Sequence, residues 1–334
     1  MKFKKTYAIA HVLTIGIMTA SITKAQSDSQ SNQPGVATAE TNELELGPNV
    51  GSQPKPARAA SGVATPKEGE SAVPPEASDP RFHISLGADY TTAYFSRGYR
   101  FEDSGWIVQP YADLSLDVFR LEGATISLTL GTWNSFHGKA TDAGTADGFT
   151  RSWYESDLYA GVGLVVGTWA FEARYYVESS PSDAFDSIEE IYLSVAFDDS
   201  EQLGEWSLSP TAALFIETGS DSIDGGRKGT YLQLGVSPGL SFDLGTMKGL
   251  EWSFPVSAGL SLGNYYEGGN GENDFFGYAS VGTTLSVPLN LDKSWGSWTL
   301  RAGVQGLFLG DVTSTFNNGD HFEVIGTVGM SFEF

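Results

Sequence analysis

Carboxylates are the side chains of this chain whose type and spacing could do chemistry. They recur at every second residue of segments whose intervening residues are apolar, so we expect them on one face of β-strands. Two arginines, Arg174 and Arg301, share that face. The predicted carboxylates of the inner face are Asp89, Asp113, Asp117, Glu155, Asp157, Glu172, Glu178, Glu217 and Glu323. A wall lined mainly by one sign of charge enriches counter-ions, so the pattern predicts a preference for cations. The alternative is structural: the carboxylates hydrogen-bond across the interior.

Catalytic and metal-binding motifs do not occur in the sequence. The chain has no cysteine, no GxSxG motif and no HExxH motif. Of its four histidines, His83 and His321 fall on the polar face, His137 in a predicted external loop and His11 near the N-terminus. These positions favour polar interior or loop residues over catalytic bases. We therefore expect no enzyme, no cofactor and no metal site.

The charge of the chain bears on its partners. The formal net charge is -22, whereas nucleic-acid binding requires clusters of Lys and Arg against phosphate. We therefore expect no nucleic-acid partner.

Residues 321–334 alternate between an apolar face and a polar or small one. In a soluble sandwich the apolar face would meet a second sheet, and in a membrane barrel it meets lipid while the other face lines the lumen. The segment ends on Phe334 and resembles the C-terminal strand of bacterial outer-membrane β-barrels, which finish on Phe. This resemblance implies that Phe332 and Phe334 form an assembly signal, with outer-membrane lipid and the barrel-assembly machinery as partners.

Eleven further segments alternate in the same way, and each can cross a bilayer as a tilted strand of roughly 9–11 residues. They are 82–95, 106–119, 124–135, 153–166, 169–178, 187–198, 205–217, 229–244, 251–265, 275–289 and 296–309. Mostly short turns alternate with longer polar loops, as in outer-membrane barrels. The sequence therefore predicts an all-β fold, a transmembrane antiparallel up-and-down β-barrel of about 12 strands with both ends on the side of the short turns.

Aromatic residues and prolines add detail to this barrel. Rings near strand ends predict a belt at the membrane interface: Tyr94, Trp133, Trp153, Trp169, Trp206, Trp252, Trp295, Trp298 and Phe332. Prolines inside strands cannot donate to the hydrogen-bond ladder and predict bulges: Pro110, Pro210, Pro238, Pro255 and Pro288.

The N-terminal part differs in composition. Residues 1–25 combine a basic start, a short apolar run and small residues before Gln26, which predicts a signal peptide. Residues 26–79 are rich in Ser, Gln, Pro, Ala and Glu and have no aromatic residue. They cannot bury enough apolar surface to offset their ordering entropy, which predicts a disordered periplasmic linker, with a tether or a lumen plug as alternatives. The barrel domain is then 80–334.

The segment 87–99 (GADYTTAYFSRGY) resembles the first strand of TorF-type porins, which carries an (S/T)-x-Y-x-x-R-G-like pattern. Tyr94, Arg97 and Gly98 match this pattern, whereas Thr92, Ala93 and the long N-terminal segment depart from it. The resemblance implies a porin-like barrel without catalytic residues.

These observations together predict a protein of the Gram-negative outer membrane, with its N-terminal segment in the periplasm. The predicted function is a porin-like channel for the passive diffusion of small solutes, with a preference for cations. The alternative is a non-conducting structural or surface-adhesion barrel, closed by side chains or by an inserted loop.

Overall fold

The computed structural model describes residues 81–223, 226–269, 271–289, 291–292 and 296–334. The predicted signal peptide (1–25), the predicted linker (26–79) and Trp295 lie outside the described residues. None of the helices in these ranges has the length and apolar character needed to span a bilayer.

Sixteen strands and two short helices form the described structure. The strands are β1 (Phe82–Thr91), β2 (Tyr94–Ser96), β3 (Tyr99–Glu102), β4 (Ile107–Leu121), β5 (Ala124–His137), β6 (Trp153–Val166), β7 (Trp169–Ser179), β8 (Ile188–Phe197), β9 (Thr211–Glu217), β10 (Thr230–Val236), β11 (Gly239–Leu244), β12 (Met247–Ser253), β13 (Val256–Gly263), β14 (Phe276–Leu289), β15 (Ser297–Leu309) and β16 (Phe322–Glu333). The helices are α1 (Ser200–Leu203) and α2 (Asp311–Phe316).

The strands close into an antiparallel barrel. β1 pairs with β4 on one side and with β16 on the other, and β14 pairs with β15, so the ring has no break between its first and last strands. β10 with β11, and β12 with β13, each form one strand of the ring interrupted at its middle, which makes twelve in all. β2 and β3 form a separate two-stranded sheet. The predicted 12-stranded antiparallel barrel is therefore confirmed.

The outer face of the barrel is apolar. Large side chains such as Leu128, Leu158, Val281 and Val328 are more than a third exposed, because alternation turns them away from the interior. A continuous apolar exterior with a polar interior suits a lipid surround rather than water. The fold is thus that of an outer-membrane barrel.

The two ends of the barrel differ in their connections. At one end, which we call the turn end, two residues join β4 to β5, β6 to β7 and β11 to β12. The connection from β8 to β9 at this end, 198–210, is longer and contains α1. The other end, the loop end, carries the long connections 138–152, 180–187, 218–229, 264–275 and 310–321.

The strand prolines lie in breaks, before a strand or in register, and none lies at a bulge. Pro238 and Pro255 lie in the breaks between β10 and β11 and between β12 and β13, and Pro210 directly precedes β9. Pro110 and Pro288 stay in register inside β4 and β14. The register shifts of the sheet fall elsewhere, for example between Asp117 and Phe119, so the bulge interpretation is wrong.

Glycines on the lumen face make room for tyrosine rings of the neighbouring strands. A Cβ at Gly131 would lie 2.3 Å from the ring of Tyr159, and one at Gly259 would lie 2.3 Å from the ring of Tyr278. These rings therefore lie against the wall, and tyrosine is the commonest of the buried hydrophobic residues that the structure describes.

Candidate functional site: the lumen and its inserted hairpin

The connection after β1 folds into the lumen. The sequence predicts strand up to residue 95 and an external loop from 96 to 105, but β1 ends at Thr91 and β2 and β3 return as a hairpin. Tyr94, Phe95, Arg97 and Tyr99 of this hairpin are at most 4% exposed. The predicted external position is therefore wrong, because aromatic and charged side chains of this segment find partners on the inner wall.

A two-residue turn brings Arg97 to the tip of the inserted hairpin, which comprises Tyr94–Glu102. Ser96 pairs with Tyr99, and both residues between them have positive φ, 47° for Arg97 and 96° for Gly98. Two positive φ values are the pattern of a type I′ turn, whose twist matches that of the two strands. A non-glycine residue adopts this region uncommonly, so the conformation of Arg97 depends on its tertiary contacts.

Arg97 reaches the wall opposite β1. Its Nη1 and Nη2 each donate to one carboxylate oxygen of Glu190 on β8, at 2.5 Å, and Nη1 also donates to the hydroxyl of Tyr265 at 2.5 Å. Glu178 on β7 lies 3.8 Å from Nη2. The guanidinium carbon lies 4.2 Å from the ring centroid of Phe215 on β9 and 5.4 Å from that of Tyr231 on β10. We call Glu178, Glu190, Phe215, Tyr231 and Tyr265 the Arg97 socket.

The electrostatics of the socket favour a cation. Burial lowers the pKa of Arg97, but the interactions with Glu190, Tyr265 and Glu178 together outweigh burial and hold that pKa well above its ordinary value. Aromatic faces add attraction for a planar cation that has lost its water. The guanidinium is therefore retained as a buried charge at the centre of the barrel.

Further contacts fix the inserted hairpin along its length. Tyr94 donates its hydroxyl hydrogen to Glu155 at 2.6 Å, and Tyr99 donates to the carbonyl of Tyr265 at 3.1 Å. Tyr266 donates to the carbonyl of Arg97 at 2.8 Å. Phe316 at the end of α2 packs edge-on against Tyr99, with ring centroids 5.0 Å apart.

The loop half of the lumen is filled. Alongside the inserted hairpin, fully or almost fully buried side chains occupy it, namely Trp133, Tyr154, Phe185, Ile223, Tyr265, Tyr266 and Val312. Near the turn end several inward positions carry small residues that are only half-buried, namely Ser85, Ser127, Gly163, Ser194, Thr299 and Ser331. The lumen is therefore filled more completely toward the loop end than toward the turn end.

The predicted inner-face carboxylates all lie on the face opposite the exposed apolar residues. Glu172 and Glu323 are half-buried. The others are buried: Asp89, Asp113, Asp117, Glu155, Asp157, Glu178 and Glu217. Their role in ion selectivity stays a prediction.

Some of these carboxylates have basic partners. Arg301 donates to both oxygens of Asp89 at 2.8 and 3.0 Å, and Arg174 lies 2.5 Å from Glu172. Three arginines that the alternation did not place in the lumen add to these two. Arg97 binds Glu190, Arg100 lies 3.6 Å from Glu323, and Arg120 lies 2.5 Å from Asp117, which also contacts His83 at 3.3 Å.

Other carboxylates accept hydrogen bonds from neutral groups. Asp113 accepts from the hydroxyl of Tyr159 at 2.9 Å, and Glu217 accepts from the backbone N–H groups of Ile223 and Gly229 at 2.7 and 2.5 Å. Among the described residues, Asp113, Glu155, Asp157 and Glu217 form no ion pair with Lys, Arg or His. The wall is thus acidic in excess of its arginines at these positions.

Glu190 and Arg97 are the site residues that sequence reasoning missed. Glu190 falls in phase with Tyr192 and Ser194 on the inner face of the predicted sixth strand, so the alternation could have found it. Arg97 carries no periodic signal. Its neighbour Gly98, part of the TorF-like pattern, was the available sign of a tight turn.

The described histidines lie at separate places: His83 in β1, His137 at the end of β5 and His321 just before β16. His137 was predicted in an external loop, but it ends β5 and is fully buried against Tyr154, with ring centroids 4.6 Å apart. Its Nε2 lies 2.9 Å from the Ser135 hydroxyl, which is itself fully buried, and its Nδ1 lies 2.8 Å from Thr141. His321 is exposed before β16. Within the described ranges, no group of His, Cys, Asp or Glu side chains is arranged to hold a metal ion.

The predicted aromatic belt divides between the two faces. Trp169 and Trp252 are 44% exposed on the outside and Trp206 is exposed at the turn end. Trp133 and Tyr94 instead face the lumen, where both are buried, so the belt prediction is wrong for them.

The C-terminus completes the ring. Phe334 and Ile84 exchange two backbone hydrogen bonds of 2.9 Å, and Phe332 packs against Trp298 with ring centroids 5.0 Å apart. The predicted assembly-signal residues therefore lie at the junction of the first and last strands.

No protein-family model and no curated protein matches the chain. Among solved structures, the chain is similar to an outer-membrane channel from Pseudomonas putida F1, with 10% identity, a TM-score of 0.42, and coverage of 79% of this chain and 100% of that one. It is similar to the NanC porin at 10% identity and TM-score 0.37, over 75% of this chain and 98% of that one. It is also similar to the translocator domain of the autotransporter NalP from Neisseria meningitidis at 14% identity and TM-score 0.33, over 78% and 90%. None of these structures tests the TorF-type resemblance, which stays a prediction.

Proposed function

We propose that the protein is an outer-membrane porin-like channel for small solutes that prefers cations and is closed by the inserted hairpin in the conformation described above. The observation that carries the proposal is a lumen wall where carboxylates exceed arginines and which is filled less completely toward the turn end than toward the loop end. When the inserted hairpin leaves, water reaches the carboxylates that hydrogen-bond only neutral donors, and once hydrated and ionised they attract mobile cations. The inserted hairpin belongs to a loop and not to a strand of the ring, so it can leave without breaking the barrel.

The filled loop half favours a second candidate. If the inserted hairpin never leaves, the protein is a non-conducting structural or adhesion barrel with the same fold. Residues 26–79 would extend into the periplasm in either case, and the C-terminal strand would engage the barrel-assembly machinery during insertion. We propose no catalytic role in either case, since the buried Ser135 and His137 have no access to substrate.

Planar-bilayer recording of the refolded protein separates the two candidates. The channel proposal expects discrete conductance steps whose open probability rises in Arg97→Ala, because this variant loses the ion pair at the tip of the inserted hairpin. The variant Arg227→Ala, which removes an exposed loop arginine, serves as the control. Circular dichroism shows whether the barrel is folded. If neither wild type nor Arg97→Ala conducts although both are folded, the channel proposal is contradicted and the non-conducting barrel is supported.

A further inference from the structure

The Arg97 socket is built by parts of the chain far from Arg97. Its members come from β7, β8, β9, β10 and the connection after β13, whereas Arg97 arrives on a loop from the far side of the ring. Such an arrangement is a preformed receptor on the wall, occupied by a side chain that is tethered elsewhere.

The chemistry of the socket is specific for a planar cation. Glu190 receives two parallel N–H groups, the fork geometry that a guanidinium presents and an ammonium does not. Phe215 offers its face to the same group at 4.2 Å. A lysine-like ammonium would use only part of this arrangement.

Two buried polar atoms in the socket lack hydrogen-bond partners among the described residues. They are Nε of Arg97 and Oε2 of Glu178, and both residues are at most 4% exposed. The other carboxylate oxygen of Glu178, Oε1, lies 3.8 Å from Nη2 of Arg97, beyond hydrogen-bond distance. The tether of Arg97 therefore leaves bonding capacity unused, and an untethered guanidinium could shift to engage both carboxylates.

We propose that the Arg97 socket is a binding site for solutes that carry a guanidinium group, and that Arg97 occupies it when no such solute is bound. A solute that replaces Arg97 at Glu190 releases the tip of the inserted hairpin and opens the loop half of the lumen. The binding site stands by itself, whereas the opening rests on the proposed channel function.

Chemical complementation tests the binding site. Arg97→Ala removes the two outer methylenes and the guanidinium, and ethylguanidinium contains the same atoms. Isothermal titration of the full chain refolded in detergent should show saturable ethylguanidinium binding to Arg97→Ala and binding at least about tenfold weaker to wild type, where Arg97 competes. N-ethylurea has the same shape without the charge and should not bind.

A matched variant localises the binding. Arg97→Ala combined with Glu190→Gln should lose at least about tenfold in affinity, since a neutral amide cannot form the charge-assisted pair. The combination with Glu201→Gln, an exposed residue at the turn end, should bind like Arg97→Ala alone. Equal affinity of all variants, or of wild type and Arg97→Ala, would overturn the proposal.

Bilayer recording of wild type tests the site without any substitution that could impair folding. Ethylguanidinium should raise the open probability at concentrations where tetramethylammonium does not. If Arg97→Ala binds ethylguanidinium but the protein never conducts, the proposed binding site is supported and the proposed channel function is contradicted. If the protein conducts but no variant binds ethylguanidinium, the proposed channel function is supported and the proposed binding site is contradicted.

Discussion

Single residues decide whether the inserted hairpin stays in the lumen. Arg97 adopts a backbone conformation that costs a non-glycine residue about 1–3 kcal/mol, and its charge is removed from water. Glu190 and the surrounding rings compensate for both costs. Removal of either partner would leave the other charge buried and unpaired. The position of the inserted hairpin therefore depends strongly on the Arg97–Glu190 pair.

Glu102 fixes the base of the inserted hairpin. Its carboxylate accepts hydrogen bonds from the N–H groups of Ser104 and Asp103 at 2.8 and 3.0 Å and from the hydroxyl of Thr141 at 2.5 Å. Burial raises the pKa of Glu102, but the hydrogen bonds from Ser104, Thr141 and Asp103 together outweigh burial, so that the pKa lies below its ordinary value of 4.5.

A pH dependence follows at this residue. Since the folded pKa lies below the unfolded one, the carboxylate stabilises the fold above pH 4.5, and this stabilisation is lost as the pH falls below that value. The difference in unfolding free energy between wild type and Glu102→Gln should therefore be largest at neutral pH and shrink on acidification. Equilibrium unfolding of wild type and Glu102→Gln at neutral pH and below pH 4.5 measures this difference. A difference that does not change with pH would contradict the assignment.

At the scale of the strands, the outer face can be tested directly. Val328 lies at the middle of β16 with its side chain outward, so Val328→Arg should lower the unfolding free energy by about 2–4 kcal/mol. Thr299→Arg places the same charge on the half-buried inner face near the turn end and should cost much less. Reversible folding into lipid vesicles gives both values. Similar losses at Val328 and Thr299 would contradict the assignment of an outer and an inner face.

The last residue can be tested by deletion. Removing Phe334 takes away its two hydrogen bonds to Ile84, at the junction where an unpaired edge is not tolerated in hydrocarbon. Membrane assembly should fall while secretion continues, as measured by fractionation of cells at native expression. Glu333→Gln, which changes the neighbouring side chain and keeps the backbone, serves as the control. Normal outer-membrane levels of the deletion would count against an assembly role.

Strand alternation predicted the ring well because a two-residue period with one apolar face has few other solutions. The sequence segments for β5, β6, β7 and β16 agree with the structure within a few residues. The inserted hairpin could not be predicted in this way. Its strands have only three and four residues, too few to show a two-residue period. In the sequence, its aromatic residues resemble those of an interfacial belt, although in the structure they face the lumen. Which wall Arg97 meets depends on the closure of the whole ring.

For the whole molecule, charge balance predicts selectivity. A carboxylate paired with an arginine attracts mobile cations less than an ionised carboxylate without such a partner. Asp113 accepts a hydrogen bond from the neutral Tyr159, whereas Asp117 is paired with Arg120. In a conducting state, Asp113→Asn should therefore reduce cation preference more than Asp117→Asn, and the exposed Asp147→Asn should leave it unchanged.

The zero-current potential under a KCl gradient measures this preference. Because the Debye length falls from about 10 Å at 0.1 M salt to about 3 Å at 1 M, the preference should fade as the salt concentration rises. The Arg97→Ala background allows the measurement if wild type is closed. A potential of anion-selective sign at low salt would show that the paired arginines, and not the remaining carboxylates, control the lumen.

The proline breaks have a consequence for local opening of the barrel. Among the strands that the structure describes, β11 pairs only with β12, since β9 begins at Thr211. A backbone hydrogen bond from the N–H of Ser237 to the carbonyl of Leu208 continues the ring there. An edge of this kind must stand clear of hydrocarbon, in agreement with the exposed Lys248–Asp243 pair beside it. The amides of β11 should therefore take up deuterium far sooner than those of β5 and β6 at the same end, whose ladder is unbroken from Ala124 and Val166 onward. Mass spectrometry of the deuterated protein in lipid would resolve the two regions, and uniform uptake would mean that the broken strands are as firmly joined as the continuous ones.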